Sequence, residues 1–473
     1  NDLFKQLVGP VPVKFFTRPV FGYFSEQRRQ PGAIRQRIKV ALNRLLAGAT
    51  GDNTIVWAHN LGIARNLILT GELADACAAR NVPLLAHHHD WWFDNRWGRW
   101  PEMRRCGVKN LAQAARTVFP PARQVRHLTI NHADARVLQG PLGNRVTWLP
   151  NLAERSPPLS NASVRKGFDW LQGRLRDHGA PVWILPCRLL RRKNVAEALL
   201  LTRWLRPEAW LVTTGGVSSA DEHAYAHKLE AAAHHHHWRL RLGVLAGDEA
   251  HKPSVPELVA ASECVMLTSI QEGFGLPYLE AAASRRPLIA RSIANIAPDL
   301  KQFGFKFPQC YGEVLVSTGL FDWRAEFKRQ TRFFAAWRNR LPRACRRLAG
   351  EPVVLRPGAE AGAVPFSRLT LTAQIEVLAR PARESWEQCA PFNPFLAVWR
   401  RRAQAGRLQI TPWPRQSDAW LSGPAYARRW AQALACEPQS ATSRTAALAA
   451  QQDFITAKLS ADHLFPLLWN TEV

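Results

Sequence analysis

The chain has 473 residues, a formal net charge of +26 at pH 7, 47% hydrophobic residues and 21% charged residues. This length and hydrophobic content are sufficient for two buried α/β cores, which excludes a disordered chain. The absence of a long uncharged apolar run predicts that the chain does not span a membrane. The eight cysteines are scattered singly, which favours reduced thiols in a cytoplasmic protein over disulfides or structural zinc.

The positive charge is dispersed along the chain. A field of this sign attracts phosphates, anionic lipid surfaces and nucleic acid. Proteins that bind nucleic acid usually concentrate their charge on one element or place it beside a readout motif, and this chain shows neither pattern. We therefore expect, in this order, a solvated basic surface, peripheral contact with an anionic membrane, and no nucleic-acid partner.

The first part of the chain predicts a parallel sheet. Residues 11–16 and 20–24 are candidates for short strands, and a helix is predicted over 63–80. Further strands are predicted over 54–59, 83–87, 127–130 and 146–149, an alternation typical of a doubly wound sheet. Around 155–163, Pro157-Pro158 and several Ser and Asn residues interrupt the periodicity, which predicts a domain boundary after residue 155.

The second part of the chain continues the alternation. A strand containing Ile184-Leu185 is followed by predicted elements over 221–232 (helix), 240–245 (strand), 255–261 (helix), 264–268 (strand) and 276–284 (helix). The histidine run 234–237 is predicted to be a loop. Beyond residue 290, helices are predicted over 366–378, 395–402, 425–435 and 453–468.

Two carboxylates, Glu272 and Glu280, enclose a glycine-rich turn and the start of the helix 276–284. Gly273 and Gly275 let the backbone turn sharply and approach a ligand closely. The free N–H groups and the positive dipole end of the helix face the same point, where an anion is expected. Glu280 lies about one turn into the helix, where its carboxylate can accept hydrogen bonds from both hydroxyls of a ribose.

The stretch EGFGLPYLE from Glu272 to Glu280 resembles the E-x7-E signature of retaining glycosyltransferases of family 4, which have the GT-B fold. Upstream, Arg188 and Lys193 are similar to the two cations of the family's Arg-Leu-x-x-x-Lys-Gly motif, with Asn194 in place of Gly. Pro150-Asn151-Leu152 resembles the family's Pro-Asn-Gly turn. The resemblance covers about 60–299.

This resemblance implies an α/β GT-B fold: two Rossmann-like doubly wound parallel-sheet domains that face a cleft, plus C-terminal helices. The N-terminal acceptor domain would span 1–155, the nucleotide-sugar domain with its helical extension 156–440, and a helix that crosses back to the first domain 441–473. Family members begin with a strand and a glycine-rich turn. Residues 1–50 offer neither, so the first unit is expected to be truncated or divergent.

The resemblance also implies roles for individual residues. Arg188 and Lys193 would bind the donor diphosphate, and Glu280 the ribose. Glu272 would act with the N–H groups of the following turn on the sugar and the developing charge. The implied donor-binding set is Arg188, Lys193, Gly273, Phe274, Gly275, Leu276 and Glu280, and the implied catalytic set is His89, Glu272, Arg188 and Lys193.

A histidine-rich and tryptophan-rich segment follows the predicted strand 83–87. His89-Asp90 matches a His-Asp pair that relatives place near the anomeric carbon of the donor sugar. Asp90, Trp91 and Arg96 are the candidate acceptor-binding residues, since tryptophans interleaved with arginines suit a sugar ring and an anionic acceptor. Packing in the core is the equal alternative for the tryptophans.

The three consecutive residues His87, His88 and His89 do not predict a metal site. Neighbours in a strand point to opposite faces, so these three side chains cannot converge on one ion without distortion. The chain also lacks the Asp-x-Asp motif by which the other major glycosyltransferase fold binds a metal and diphosphate. We therefore expect no metal and no cofactor.

The expected activity is retaining transfer of a hexose from a nucleoside-diphosphate sugar to a hydroxyl-bearing acceptor, which would be a sugar, a glycan or a lipid-linked group. Two alternatives stay open. The first is a GT-B glycoside phosphorylase or a sugar-nucleotide epimerase. The second is a non-catalytic binding module for an anionic polymer or nucleic acid.

Overall fold

The structure is a computed structural model that describes residues 11–155, 157–436 and 440–469. The predicted domain limits at residues 1, 156 and 473 lie outside these ranges. The strands are β1 (Val56–His59), β2 (Leu84–His88), β3 (Val125–Thr129), β4 (Val146–Trp148), β5 (Val182–Leu185), β6 (Trp210–Thr213), β7 (Leu240–Arg241), β8 (Cys264–Leu267), β9 (Leu288–Arg291), β10 (Gln309–Tyr311), β11 (Leu315–Ser317) and β12 (Ala363–Pro365).

The α-helices lie between and after these strands. They are α1 (Pro31–Leu45), α2 (Leu67–Ala78), α3 (Trp100–Arg105), α4 (Leu111–Val118), α5 (His132–Leu142), α6 (Asn161–Leu175), α7 (Val195–Leu205), α8 (His223–His235), α9 (Val255–Ala261), α10 (Leu276–Ala283), α11 (Ala297–Gln302), α12 (Trp323–Arg340), α13 (Leu371–Ala379), α14 (Ala382–Cys389), α15 (Pro394–Gln404), α16 (Asp418–Leu421), α17 (Gly423–Ala435) and α18 (Arg444–Lys458).

Two parallel sheets organise the molecule. The first sheet has the order β1-β2-β3-β4 and the second the order β10-β9-β8-β5-β6-β7, with parallel pairing throughout both. The predicted α/β fold with parallel sheets is confirmed. Since parallel strands end at one edge of their sheet, the loops that follow β5 and β8, which are neighbours, lie side by side.

Several local predictions were wrong. Residues 11–24 contain no strand, because Pro19 starts a short helical turn and Val20 and Phe24 are buried as core anchors. The strand at 240–245 stops after two residues, since Gly243 has a φ of 62°. His234 and His235 belong to the last turn of α8 and not to a loop.

Two C-terminal helices begin at other residues than predicted. The helix expected over 366–378 starts only at Leu371, because Thr370 caps its N-terminus. The helix expected over 453–468 is α18, which ends at Lys458 and is followed by short helical turns.

One hydrophobic core is continuous from the first sheet into one face of the second, and a separate core covers the other face of the second sheet. Helix α18 packs on α4 and α5 beside the first sheet. The ammonium group of Lys458, on α18, lies 2.9 Å from the Asp94 carboxylate in the loop after β2. Within the described residues, no helix is both long enough and apolar enough to cross a bilayer.

Candidate functional site

The loops that follow β5 and β8 join through a buried ion-pair cluster. The Arg192 guanidinium Nη1 lies 2.9 Å from Glu272 Oε2, and the Lys193 ammonium contacts Glu272 Oε1. The hydroxyl of Thr268, which follows β8, donates to the carbonyl oxygen of Lys193 at 3.0 Å. The predicted cation and carboxylate, 79 residues apart in sequence, therefore meet at the carboxyl edge of the second sheet.

Glu272 is an ionised carboxylate in this cluster. Burial acts to raise its pKa, but the charges of Lys193 and Arg192 outweigh burial and hold the pKa below its ordinary value. The pKa of Arg192 shifts in the opposite direction. Burial acts to lower its pKa, and the Glu272 charge raises it overall. The cluster thus places two cations on one buried carboxylate.

The glycine-rich turn opens the N-terminus of α10 toward this cluster. Gly275 directly precedes the helix with a φ of 82°, and a Cβ atom there would lie 2.9 Å from the Tyr278 ring. Only glycine fits both conditions. Phe274 is buried, whereas Leu276 is 42% exposed. The turn therefore presents its backbone and the Leu276 side chain to a ligand. Pro277 has no N–H group, and the N–H of Tyr278 donates to the Gly275 carbonyl oxygen at 3.0 Å.

Glu280 is exposed on α10 and lines a cavity of about 360 Å³ between α10, α9 and residues 152–155 and 157–159. The protein around the carboxylate raises the pKa of Glu280 by desolvation, and the charge of Lys193 opposes this shift. Lys193 thus lies within electrostatic range of both predicted carboxylates. The cavity wall includes Leu276 and Glu280 but not Arg188, Lys193 or Glu272.

Arg188 follows β5 and is exposed. Among the described residues it has neither a hydrogen bond nor an ion pair. Its backbone lies against Gly215, where an added Cβ would stand 3.3 Å from Arg188 Cα. A guanidinium without a protein partner, beside the ion-pair cluster in sequence, is available for an anionic ligand.

Histidines converge at the carboxyl edge of the first sheet. His59 ends β1 and pairs in register with His87 of β2, and His59 Nδ1 lies 3.1 Å from His89 Nε2. His88 points to the opposite face, where its Nε2 lies 3.0 Å from His127 Nδ1. The three consecutive histidines therefore do not converge, but His87 and His89 do meet His59.

Burial sets the protonation of these imidazoles. Desolvation, reinforced by His89 and His59, lowers the pKa of His87 to about 3. Desolvation also lowers the pKa of His59 and, together with the neighbouring His59, the pKa of His89. His89 is therefore a neutral imidazole at pH 7, suited to hydrogen bonding rather than to charge pairing.

A local turn holds His89 in place. Asn60 adopts a left-handed conformation with a φ of 61°, and its Oδ1 accepts hydrogen bonds from the N–H groups of His89 and Asp90 at 2.9 and 3.1 Å. Gly62 allows the chain to pass Trp91, since a Cβ there would lie 2.6 Å from the indole. The Asn60-Leu61-Gly62 element therefore positions the His-Asp pair.

The histidine edge of the first sheet faces the glycine-rich turn of the second. A Cβ on Gly273 would lie 3.0 Å from the carbonyl oxygen of His89, and Asn131 Nδ2 donates to the Gly273 carbonyl at 3.3 Å. Asn95 Nδ2 also donates to Gln271 Oε1 at 3.3 Å. The backbone of His89 therefore lies against Gly273, the residue that follows Glu272.

The candidate acceptor residues differ in exposure. Asp90 and Arg96 are partly exposed and form an ion pair at 2.9 Å. Trp91 is only 1% exposed, packs on Phe93 and Phe454, and donates from Nε1 to Asp134 at 2.8 Å. The acceptor role predicted for Trp91 is therefore replaced by core packing, because a side chain with both ring faces covered has no surface to offer a ligand.

The sequence-based predictions omit His59 and Arg192. His59 carries a detectable signal, since a histidine ends each of two neighbouring predicted strands. Arg192 precedes Lys193, and no sequence pattern marks it as a site residue. Its contact with Glu272 depends on the turn at 191–193, which only the folded chain defines.

One protein family is similar to the part of the chain that forms most of the second sheet. Residues 169–302, which contain Arg188, Lys193, Glu272 and Glu280, match the protein family described as "Glycosyl transferases group 1". The part of the chain that forms β5 to β9 is therefore similar to this family, within an α/β fold that has two parallel sheets.

The chain is 25% identical over 318 residues to mannosylglucosyl-3-phosphoglycerate synthase of Petrotoga mobilis, with 64% of this chain and 59% of that protein covered. The chain thus spans about three fifths of this relative. The structure of Anabaena Alr3699/HepE in complex with UDP and glucose is similar with a TM-score of 0.42 and 18% identity, over 63% of this chain and 72% of that chain. A trehalose-phosphate synthase from Burkholderia xenovorans gives a TM-score of 0.40 and 15% identity, over 82% of both chains.

Proposed function

We propose that the protein is a retaining glycosyltransferase that moves a hexose from a nucleoside-diphosphate sugar to a hydroxyl-bearing acceptor. The observation that carries this proposal is the cluster of Lys193 and Arg192 on Glu272 beside the N-terminus of α10. The match of residues 169–302 to glycosyltransferases supports it.

The cations of this cluster would bind the diphosphate of the donor. Glycosidic bond cleavage leaves negative charge on the departing diphosphate, and fixed cations stabilise that charge more than they stabilise the ground state. Lys193 supplies one fixed charge, and the exposed Arg188 supplies a second. The N-terminus of α10 adds the positive end of the helix dipole.

The remaining site residues would orient the two substrates. Glu280 accepts hydrogen bonds from the ribose hydroxyls at the cavity wall. Glu272 and the backbone of the glycine-rich turn bind the sugar, and the neutral His89 donates to or accepts from it across the cleft. No protein nucleophile is required, because the departing phosphate can take the proton of the acceptor hydroxyl on the same face of the sugar.

We propose an anionic acceptor. The net charge of +26 attracts negatively charged molecules to the surface, and Arg96 lies partly exposed beside Asp90 at the cleft. The name of the Petrotoga relative contains a phosphoglycerate, which is an anionic group. Phosphorylated three-carbon acids and sugar phosphates are therefore the first acceptors to test, and vesicles of anionic lipid test the peripheral membrane contact.

The direct experiment incubates the protein with a panel of sugar nucleotides and follows its melting temperature, then tests each stabilising donor for transfer. Release of nucleoside diphosphate together with an α-linked product from an α-linked donor, seen by proton NMR, is the expected result. Conversion of the donor sugar without transfer would identify an epimerase. Phosphate-dependent cleavage of a glycoside would identify a phosphorylase, and nucleic-acid retention without any donor binding would favour a binding module.

We expect the transfer to be independent of Mg²⁺, since Arg188 and Lys193 supply the positive charge that a divalent ion supplies elsewhere. The transfer rate of protein freed of bound metal should be the same in EDTA as in buffer with added Mg²⁺. A rate abolished by the chelator and restored by Mg²⁺ would contradict this prediction.

A further inference from the structure

The histidine cluster at the edge of the first sheet has the composition and the dimensions of a metal site. One ring nitrogen from each of His59, His87 and His89 lies within 4.8 Å of the other two. Within the described part of the chain, this is the one such group of three histidine, cysteine or acidic residues. Three nitrogens bound to one tetrahedral ion at 2.0–2.1 Å are about 3.3 Å apart, and His59 Nδ1 and His89 Nε2 are already 3.1 Å apart.

The buried side chain of His87 has ring nitrogens that hydrogen bonds within the described part of the protein do not satisfy. Its side chain is 1% exposed. Neither ring nitrogen has a partner at the distance and angle of a hydrogen bond among the described residues, although the backbone of Leu149 lies near enough to act on its pKa. A buried polar group without a partner destabilises the folded state. A metal ion between His87 and the other two histidines would satisfy one of these nitrogens.

The local fold holds two of the three ligands on rigid elements. His59 and His87 are register partners on the paired strands β1 and β2, and Asn60 fixes the backbone of His89 through its side-chain oxygen. Trp57 stacks on His87 with ring centroids 5.9 Å apart and forms one wall of the cluster. Such preorganisation lowers the cost of assembling a coordination sphere.

We infer that His59, His87 and His89 bind a divalent transition-metal ion of the zinc class. Imidazole nitrogen suits Zn²⁺, Ni²⁺, Cu²⁺ and related ions, whereas Mg²⁺ and Ca²⁺ require oxygen ligands. Three protein ligands leave the fourth tetrahedral position open. Since His59 is exposed, this position is reachable from solvent.

The site has a consequence for transfer that rests on the function proposed above. His89 adjoins the glycine-rich turn through the contact of its carbonyl oxygen with Gly273. An ion that takes the Nε2 atom of His89 removes that atom from the donor sugar. Zn²⁺ is therefore expected to inhibit transfer reversibly, whereas Mg²⁺ should have no effect.

Metal binding is tested first, with no activity measurement. The full chain, freed of metal, is titrated at pH 7.5 with Co²⁺, which absorbs strongly in the visible range when its coordination is tetrahedral, and with Zn²⁺ by calorimetry. We expect one tight site in the wild type. His59→Ala should weaken it by on the order of a hundredfold or more, since even partners outside the ligand set change metal affinity by 10–100-fold.

The matched control is the double variant His234→Ala/His235→Ala, which removes exposed histidines from the other histidine run and should retain the tight site. His59 is exposed, so its replacement leaves the core intact, and circular dichroism verifies the fold. Equal affinity in His59→Ala and the wild type, or no saturable site in the wild type, would overturn the inference.

Measuring transfer with and without Zn²⁺ distinguishes failure of the metal-site proposal from failure of the transferase proposal. If Zn²⁺ binds at the cluster but no sugar nucleotide binds or reacts, the metal site stands and the transferase proposal fails. If transfer occurs and no metal binds, the transferase stands and the metal site fails. With both correct, Zn²⁺ slows the wild type, EDTA restores it, and His59→Ala is markedly less sensitive to Zn²⁺.

Discussion

At the residue scale, the candidate site combines charges that already have protein partners with charges that do not. Glu272 is held by Lys193 and Arg192, so replacing it would leave two cations unpaired and would change stability as well as function. Arg188 and Glu280 are exposed, so their replacement should affect ligand binding alone. These two residues therefore give the cleanest tests of the proposed donor site.

Glu280→Ala should weaken donor binding without unfolding the protein. A donor at a hundred times its Kd stabilises a protein by about 2.7 kcal/mol, and charge-assisted hydrogen bonds to the ribose contribute about 1.5–3 kcal/mol. Most of the donor-induced rise in melting temperature should therefore disappear. Glu230→Ala, at an exposed position on α8, is the control, and an undiminished rise in Glu280→Ala would contradict the ribose role.

Arg188→Ala should lower kcat by about 10²–10³-fold, the range measured for removal of one transition-state hydrogen-bond donor. Because Arg188 has no described protein partner, the free energy of unfolding should change by no more than about 0.5 kcal/mol. Arg324→Ala, an exposed arginine on α12, serves as the charge-matched control. Unchanged kinetics in Arg188→Ala would remove this residue from the site.

At the scale of single elements, the turn before α10 has the strictest requirements. Gly275 needs a left-handed backbone and has no room for a Cβ beside Tyr278. Gly273 approaches the backbone of His89 from the other sheet. One short loop thus sets the direction of a helix N-terminus and the contact between two sheets.

Gly275→Ala should destabilise the protein by about 1–3 kcal/mol, the cost of a strained backbone conformation, and should weaken donor binding because the N–H groups of α10 shift. Gly173→Ala provides a contrasting control. A Cβ at Gly173 meets open space within helix α6, so alanine should stabilise there by about 0.5–1 kcal/mol. Urea unfolding of both variants makes the comparison, and equal effects would contradict the argument from backbone strain.

At the scale of the whole molecule, polar contacts join the helices of the second sheet to those of the first. Asp299, on α11, is 2% exposed, and its Oδ2 accepts a hydrogen bond from the N–H of His132, the first residue of α5, at 3.0 Å. Its Oδ1 has no partner among the described residues. Burial raises the pKa of Asp299 to about 7, although the His132 N–H opposes the shift.

This raised pKa predicts a pH dependence of stability. Below about pH 4 the carboxyl is protonated in both the folded and unfolded states, so it has no differential effect. Between about pH 4 and 7 only the unfolded state releases the proton, so the stability of the wild type should fall as the pH rises. The variant Asp299→Asn cannot ionise at this position. Between pH 4 and pH 7 the free energy of unfolding of the wild type should therefore fall relative to that of Asp299→Asn, by up to roughly 4 kcal/mol. Urea unfolding of both proteins at pH 4, 5.5 and 7 measures it, and parallel pH profiles would refute it.

Several elements were predictable because their signals are local in the sequence. The apolar strand β8, the glycine turn and helix α10 lie within one stretch of residues 264–283, and short-range periodicity with backbone requirements was enough to predict them. The parallel arrangement also followed, because alternating strands and helices can pack in few other ways.

The contacts between residues distant in sequence were not predictable and became visible with the folded chain. The burial of Trp91, the meeting of His59 with His89, and the second cation on Glu272 all depend on which strands become neighbours and in what register. Local propensity carries no information on that choice, because it is made by the packing of side chains from the whole chain at once. The physical reason is that a strand pattern reveals which face is apolar, but not which partner will cover it.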